Sequence, residues 1–262
     1  MRKDILIPVD FSGTSLNAVR FAADMLRDKT DIHVILYNMF EEEDEGENAQ
    51  QYLENLKTEI TQKNILDVEC IAELGDDLID CMGRLAYQKN IELIIMGISE
   101  KDEWKQLIYG SKTLKMAEEN ICPVMIIPPD ASFSGMQNIA LASDFKDVIN
   151  TTPILPIKTV LEMFQANLHV VNVDSRHYVS LTEEYLAERE NMRSLFAEFN
   201  PEFYFIGTDN FEDTITQFAS DKNVNMIIVI PKNRSFIDNI LGGSHTKKLA
   251  FSTDVPLLAV HQ

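Results

Sequence analysis

The feature that most constrains this chain is that it repeats itself. Residues 90–99 read NIELIIMGIS and residues 223–232 read NVNMIIVIPK. Residues 107–128 read LIYGSKTLKMAEENICPVMIIP, and 240–261 read ILGGSHTKKLAFSTDVPLLAVH. Asn90 and Asn223, Gly110 and Gly243, and Pro123 and Pro256 all stand 133 residues apart. DILIPVDFS at 4–12 matches NIALASDFK at 138–146, with Asp10 facing Asp144. Gly75 and Gly207 match as well, and the order is kept throughout. A repeat of this kind imposes one architecture twice. It predicts a first domain over 1–130, a linker over 131–135 and a second domain over 136–262. The seam, Pro128 to Gly135, is rich in turn formers.

Within each copy, apolar runs alternate with helical periodicity. In the first copy Ile5–Val9, His33–Met39, Asp67–Ala72, Leu93–Met96 and Val124–Ile127 read as strands. Ser12–Ser15 supplies capping residues, after which Leu16, Val19, Ala22, Ala23 and Leu26 share one helical face. Glu41–Asn48 reads as a solvated acidic loop. Further helices are expected over 52–63 (with Tyr52, Leu53, Leu56 and Ile60 at helical spacing), 76–88 and 110–120. The second copy is expected to follow the same order. Strands alternating with helices imply parallel sheets covered on both faces, and the runs LIIM and MIIV fit burial from both sides. Ligands of such α/β folds sit beyond the carboxyl ends of the strands, where strand order reverses.

Composition narrows the function. Of 262 residues 45% are hydrophobic, enough for packed cores. No apolar run approaches the roughly 18 residues of a spanning helix. The apolar stretch near residue 5 meets Asp10 too soon for a secretory leader. Cys70, Cys81 and Cys122 cannot all pair within one chain and lack metal-ligand spacing, which suits a reducing, cytoplasmic setting. The formal charge is -19. That field argues against nucleic acid and anionic membranes as partners, and it leaves any phosphate to be held by local donors.

The candidate site residues follow the first and fourth strands. Asp10 could accept hydrogen bonds from ribose hydroxyls or a base amino group; a helix cap or turn is its other role. Gly97 follows a buried strand, where a missing side chain permits close approach. Gly110-Ser111 opens the last helix and offers N–H groups and a hydroxyl to a phosphate, with Lys112 adding charge; a capped structural turn is the alternative. His33 and His169 lie in strands without metal-ligand spacing, and no metal is expected. His245 follows Gly243-Ser244. Neither a Gly-x-Ser-x-Gly elbow nor a Walker loop is present. The acidic pair and strand-three aspartate of receiver domains are missing too. Trp104 sits inside the 97–111 loop, where it could cover a sheet edge, a ligand or a partner.

Taken as an ordered set, Pro8-Val9-Asp10-Phe11-Ser12, Ile95-Met96-Gly97 thirteen residues before Gly110-Ser111, and the ending Cys122 to Pro128 resemble the universal stress protein family. Val255 to Val260 plays the part of that ending in the second copy. The resemblance covers both copies and identifies a tandem member. It implies an α/β fold of two doubly wound domains, each a five-stranded parallel sheet of order 3-2-1-4-5 with helices on both faces. It further implies pairing of the two copies within one chain, or of two chains as a homodimer. Many members bind ATP through a loop of form G-x2-G-x9-G-[S/T].

Carried over to this sequence, that implies adenine-nucleotide binding, ATP with Mg²⁺ or AMP, by Pro8, Val9, Asp10, Met96, Gly97, Gly110, Ser111 and Lys112. A weaker second site would use Asp144, Asn233, Gly243 and Ser244. Both loops depart from the pattern. Glu100 replaces the middle glycine of the first, and Ile230 and Asn233 replace the first two glycines of the second. The implied function is a nucleotide-sensing or partner-binding module in a stress response, with no catalytic residue assigned. An interaction protein without nucleotide, or a weak ATP hydrolase, are the alternatives.

Overall fold

The computed structural model describes residues 2–27, 29–62, 67–98, 112–113, 115–117, 119, 121–173, 182–207, 211–230 and 255–261, with side chains at 211 and 212 excepted. The chain divides into two compact units, Met1–Phe133 and Ser134–Gln262.

Unit one runs β1 (Lys3–Pro8), α1 (Gly13–Met25), β2 (Ile32–Phe40), α2 (Gly46–Thr61), β3 (Asp67–Leu74), α3 (Leu78–Lys89), β4 (Ile91–Gly97) and β5 (Val124–Ile127). Its strands pair in parallel in the order β3-β2-β1-β4-β5. Consecutive residues of β1, β2, β4 and β5 are buried, so both faces of the sheet are covered. Ser12 caps α1, its hydroxyl accepting from the Ser15 N–H. Asp77 caps α3 by accepting from Ile79 and Asp80, and Leu78, Ile79, Met82 and Leu85 point inward as their spacing predicts.

The acidic segment is less of a loop than its composition suggests. Glu43–Glu45 forms a 3-10 turn and α2 already starts at Gly46. Carboxylates favour a helix N-terminus, which explains a helix starting within such a run. The start of the seam meets α1. Asn17 Nδ2 donates to the carbonyls of Pro128 (3.3 Å) and Ala131 (3.1 Å), and Phe133 meets Phe21 edge-on at 5.7 Å. Pro128, Ala131 and Phe133 therefore touch α1, while Asp130 and Ser132 are exposed.

Unit two runs β6 (Asn138–Ala142), α4 (Val148–Thr151), α5 (Ile154–Phe164), β7 (Asn167–Val173), α6 (Glu183–Leu195), β8 (Glu202–Ile206), α7 (Phe211–Asp221), β9 (Met226–Val229) and β10 (Leu257–Ala259). Its parallel pairs give the order β8-β7-β6-β9-β10. It departs from unit one where a single first helix was expected. The helix breaks into α4 and α5 at Thr152-Pro153, with Thr152 extended at φ -100°, ψ 118°. Proline disfavours helical geometry in the residue before it and has no N–H to give. No helix among the described residues is long and apolar enough to cross a membrane.

Candidate functional site

The carboxyl end of β1 is held from several sides. The Val9 N–H donates to the Tyr37 carbonyl (2.7 Å), and Asn38 Nδ2 donates to the Val9 carbonyl (2.7 Å). With Val9 fixed, the chain turns sharply, and Phe11 takes a left-handed φ of 62°. A bulky residue adopts that conformation only when its surroundings demand it. The turn brings Ser12 under Asp10, whose Oδ1 accepts both the Ser12 N–H (3.0 Å) and the Ser12 hydroxyl (2.6 Å). Ser12 Oγ lies 3.0 Å from Thr14 Oγ1. Asp10 thus sits half-buried at the N-terminus of α1, and its Oδ2 has no partner among the described residues.

Gly97 ends β4 beside this turn. A Cβ there would lie 2.4 Å from the Thr14 carbonyl oxygen, so the missing side chain admits the backbone of α1. The close approach that a glycine permits is made here by the first turn of α1. Buried Thr113 donates its hydroxyl to the Gly97 carbonyl (3.0 Å), tying the segment after the 99–111 stretch to the end of β4. Pro8, Val9 and Met96 have buried side chains, which leaves only their backbone to offer a ligand. Lys112 and Lys115 act on Asp77 at the start of α3. That carboxyl is held below its usual range, first by the Asp80 N–H and then by the Ile79 N–H and the two lysines. Gly110, Ser111 and Trp104 lie outside the described residues, as do Asn233, Gly243, Ser244 and His245.

Unit two repeats the frame. The Ser143 N–H donates to the Val171 carbonyl (3.0 Å), Asn172 Nδ2 donates to the Ser143 carbonyl (2.8 Å), and Phe145 has φ 51°. Asn38 and Asn172, both buried, were missed in the sequence. Their signal was there: an amide late in an apolar strand, recurring 134 residues on. Asp144 Oδ1 accepts the Lys146 N–H (3.1 Å). Beyond it the copies part, because the Val148 N–H at the start of α4 donates to Glu188 Oε2 of α6 (2.8 Å). A carboxylate of the protein itself stands at the corresponding helix start.

The histidines differ in their partners. His33 Nδ1 lies 3.2 Å from both Asp4 Oδ1 and Arg2 Nη2. His169 is held below its ordinary pKa, first by burial, with Glu202 opposing and Lys222 adding to the shift. Burial pushes the Cys122 thiol up to about 12, and burial with Glu54 nearby does the same to Cys70.

Residues 1–128 match the model of the universal stress protein family. No curated protein matches the chain. Among solved structures, the chain is similar to a universal stress protein from Archaeoglobus fulgidus, with TM-score 0.71, 17% identity, and 99% and 96% of the two chains covered. A functionally unknown protein from Pseudomonas aeruginosa gives TM-score 0.64 at 16% identity over 99% of this chain and 92% of that one. The cytoplasmic domain of a prokaryotic cation chloride cotransporter gives 0.57 at 10% identity over 98% and 95%. At these identities the likeness is one of fold, and it spans both units. The match over residues 1–128 places unit one in the universal stress protein family.

Proposed function

We propose that the chain carries two copies of one doubly wound domain and acts in the cytoplasm as an adenine-nucleotide-sensing module, with the nucleotide in unit one. One observation carries the reading. Asp10 is clamped through one oxygen by Ser12 at the start of α1, while its other oxygen accepts nothing from the described residues. A carboxylate pre-set in this way can accept from a ribose or base without reorganising, and the α1 N–H groups favour a phosphate beside it. In this reading Gly110, Ser111 and Lys112 supply further phosphate donors, and a bound nucleotide orders the surface shown to a partner. Mg²⁺ would accompany ATP and offset its charge in a chain of -19. Thermal unfolding with ATP-Mg²⁺, ADP or AMP tests this, because a ligand bound only to the folded state raises the midpoint. The expected result is a rise with at least one nucleotide that Asp10→Ala removes. No rise at about millimolar nucleotide, roughly tenfold or more above a sensing affinity, would sink it.

A second reading applies to unit two: a copy without nucleotide, serving interaction. The Glu188 carboxylate favours it, since it already occupies the Val148 N–H, a helix-start donor that a phosphate would need.

A further inference from the structure

The two units build the same aromatic pair and then treat it oppositely. In unit one the rings of Phe11 and Tyr52 are 5.4 Å apart, and in unit two Phe145 and Tyr185 are 5.2 Å apart. Tyr185 is 5% exposed and Phe145 3%, whereas Tyr52 is 59% exposed. The cause lies in the outer strand. Phe205 meets Phe145 at 5.4 Å and Tyr185 at 5.3 Å, and Phe203 stands 6.2 Å from Phe145.

The strand registers say what replaces these rings in unit one. Phe205 pairs with Asn172 as Ala72 pairs with Asn38, so Phe203 and Phe205 correspond to Cys70 and Ala72. Two phenyl rings that close the cluster in unit two are a thiol and a methyl in unit one. Leu74, two residues beyond Ala72 and on the same face of β3, is 48% exposed. The result is an open apolar face of Phe11, Tyr52, Ala72 and Leu74 at the carboxyl end of the outer strands.

Charge borders this face on one side. Glu41, Glu42, Glu43, Asp44 and Glu45 are all exposed and connect β2 to the helix that carries Tyr52, and exposed Glu47 lies in that helix's first turn. A rim of one sign around an aromatic patch selects a partner of the other sign. We propose that this face of unit one docks a basic protein segment bearing an aromatic side chain. That side chain would take the place Phe205 holds in unit two, with lysines or arginines against the 41–47 carboxylates. The occupant's chemistry is fixed by the internal copy on one count and by the acidic run on the other. The proposal stands apart from nucleotide binding at Asp10.

The test uses the full chain and a fluorescein-labelled peptide, Gly-Lys-Arg-Phe-Lys-Phe-Arg-Lys-Gly, titrated by fluorescence anisotropy at about 0.15 M salt. Two control peptides carry Ser for both Phe, or Glu for every Lys and Arg. The expected result is saturable binding of the first peptide, weakened at least about tenfold in either control, as loss of a buried aromatic anchor or of the charge match requires. Tyr52→Ser removes an exposed ring and should weaken binding about tenfold at unchanged melting temperature. Ala72→Phe fills the face with unit two's own side chain and should do the same. If Ala72→Phe does not fold, Tyr52→Ser still decides. The proposal falls if the wild-type chain binds no peptide, if both variants bind like wild type, or if the Ser peptide binds as well as the Phe peptide. It also falls if adenosine displaces the peptide and Tyr52→Ser abolishes the nucleotide-induced thermal shift, which would assign the face to a base. A nucleotide shift lost in Asp10→Ala but kept in Tyr52→Ser separates the two sites.

Discussion

Gly97 offers a sharp separation of scaffold from ligand site. Replacing it with alanine places a methyl carbon 2.4 Å from the Thr14 carbonyl oxygen, 2.8 Å from its carbonyl carbon and 3.3 Å from the Ser15 nitrogen. Carbon contacts are comfortable at about 3.5 Å, so roughly 1 Å of movement is needed. All three neighbours are backbone, and none can rotate away. The first turn of α1 is fixed by the Leu16 N–H to the Ser12 carbonyl (3.0 Å) and by buried Ala18, Val19 and Ala22. Overpacking of this kind costs about 1–3 kcal/mol, or roughly 3–10 °C in melting temperature for a unit of this size. The effect should be present without any ligand. Gly13→Ala is the paired control, since a Cβ there meets nothing within 4 Å. An alanine in the first turn of a helix should be neutral or slightly stabilising. Calorimetry or dye-based melting of both variants decides. A Gly97→Ala protein that melts with wild type, or a Gly13→Ala protein that loses as much, would refute the reasoning and return Gly97 to the ligand.

Asn38→Ala removes the amide that satisfies the Val9 carbonyl at 2.7 Å and leaves that buried oxygen unpaired, at a cost of about 1–3 kcal/mol. Chemical denaturation should show it, and an unchanged midpoint would mean the carbonyl finds another donor. His169 is depressed by burial, so the unfolded chain takes up its proton first, near pH 6.5. Stability of unit two should therefore fall as pH drops below about 6.5, and Glu202, itself held low first by the Tyr204 hydroxyl, adds loss at more acid pH. Urea titrations across this range should show a shallower acid slope in His169→Gln; an identical slope would exclude the histidine as its source.

What the sequence made legible was what periodicity and repetition encode. The runs ILIPV, LIIM and VMII locate buried strands because continuous apolar residues suit a sheet covered on both faces. Leu78, Ile79, Met82 and Leu85 mark a helix face for the same reason. What it hid were contacts between distant segments. Tyr52 fits helical spacing with Leu53, Leu56 and Ile60, yet it is exposed while those three are buried. Its cover would have to come from β3, where Cys70 and Ala72 are small. Gly97 suggested a ligand because a glycine after a strand says only that something comes close, not what. The Thr152-Pro153 break lies outside what the repeat carries, because the first helix of unit one has no proline to disfavour helix in the residue before it.

The turn after β1 shows how one framework serves two surfaces. Its Asn-to-carbonyl tie and left-handed phenylalanine recur at Asn38 and Phe11 and at Asn172 and Phe145. A left-handed phenylalanine costs on the order of 1–3 kcal/mol, so keeping it twice requires compensation. In unit two the compensation is plain: Phe145 is buried among Tyr185, Phe203 and Phe205. In unit one the same ring meets Tyr52 and no second aromatic side chain among the described residues. The strain there is held by the Asn38 tie and by Ser12 bonding back to Asp10. Unit one thus bears the cost of the turn with less internal packing to offset it, while it holds Asp10 half-buried and leaves Tyr52 exposed. Such an arrangement fits a surface whose remaining stabilisation comes from something bound, and it makes the Phe11 and Tyr52 face of unit one the first place to look for it.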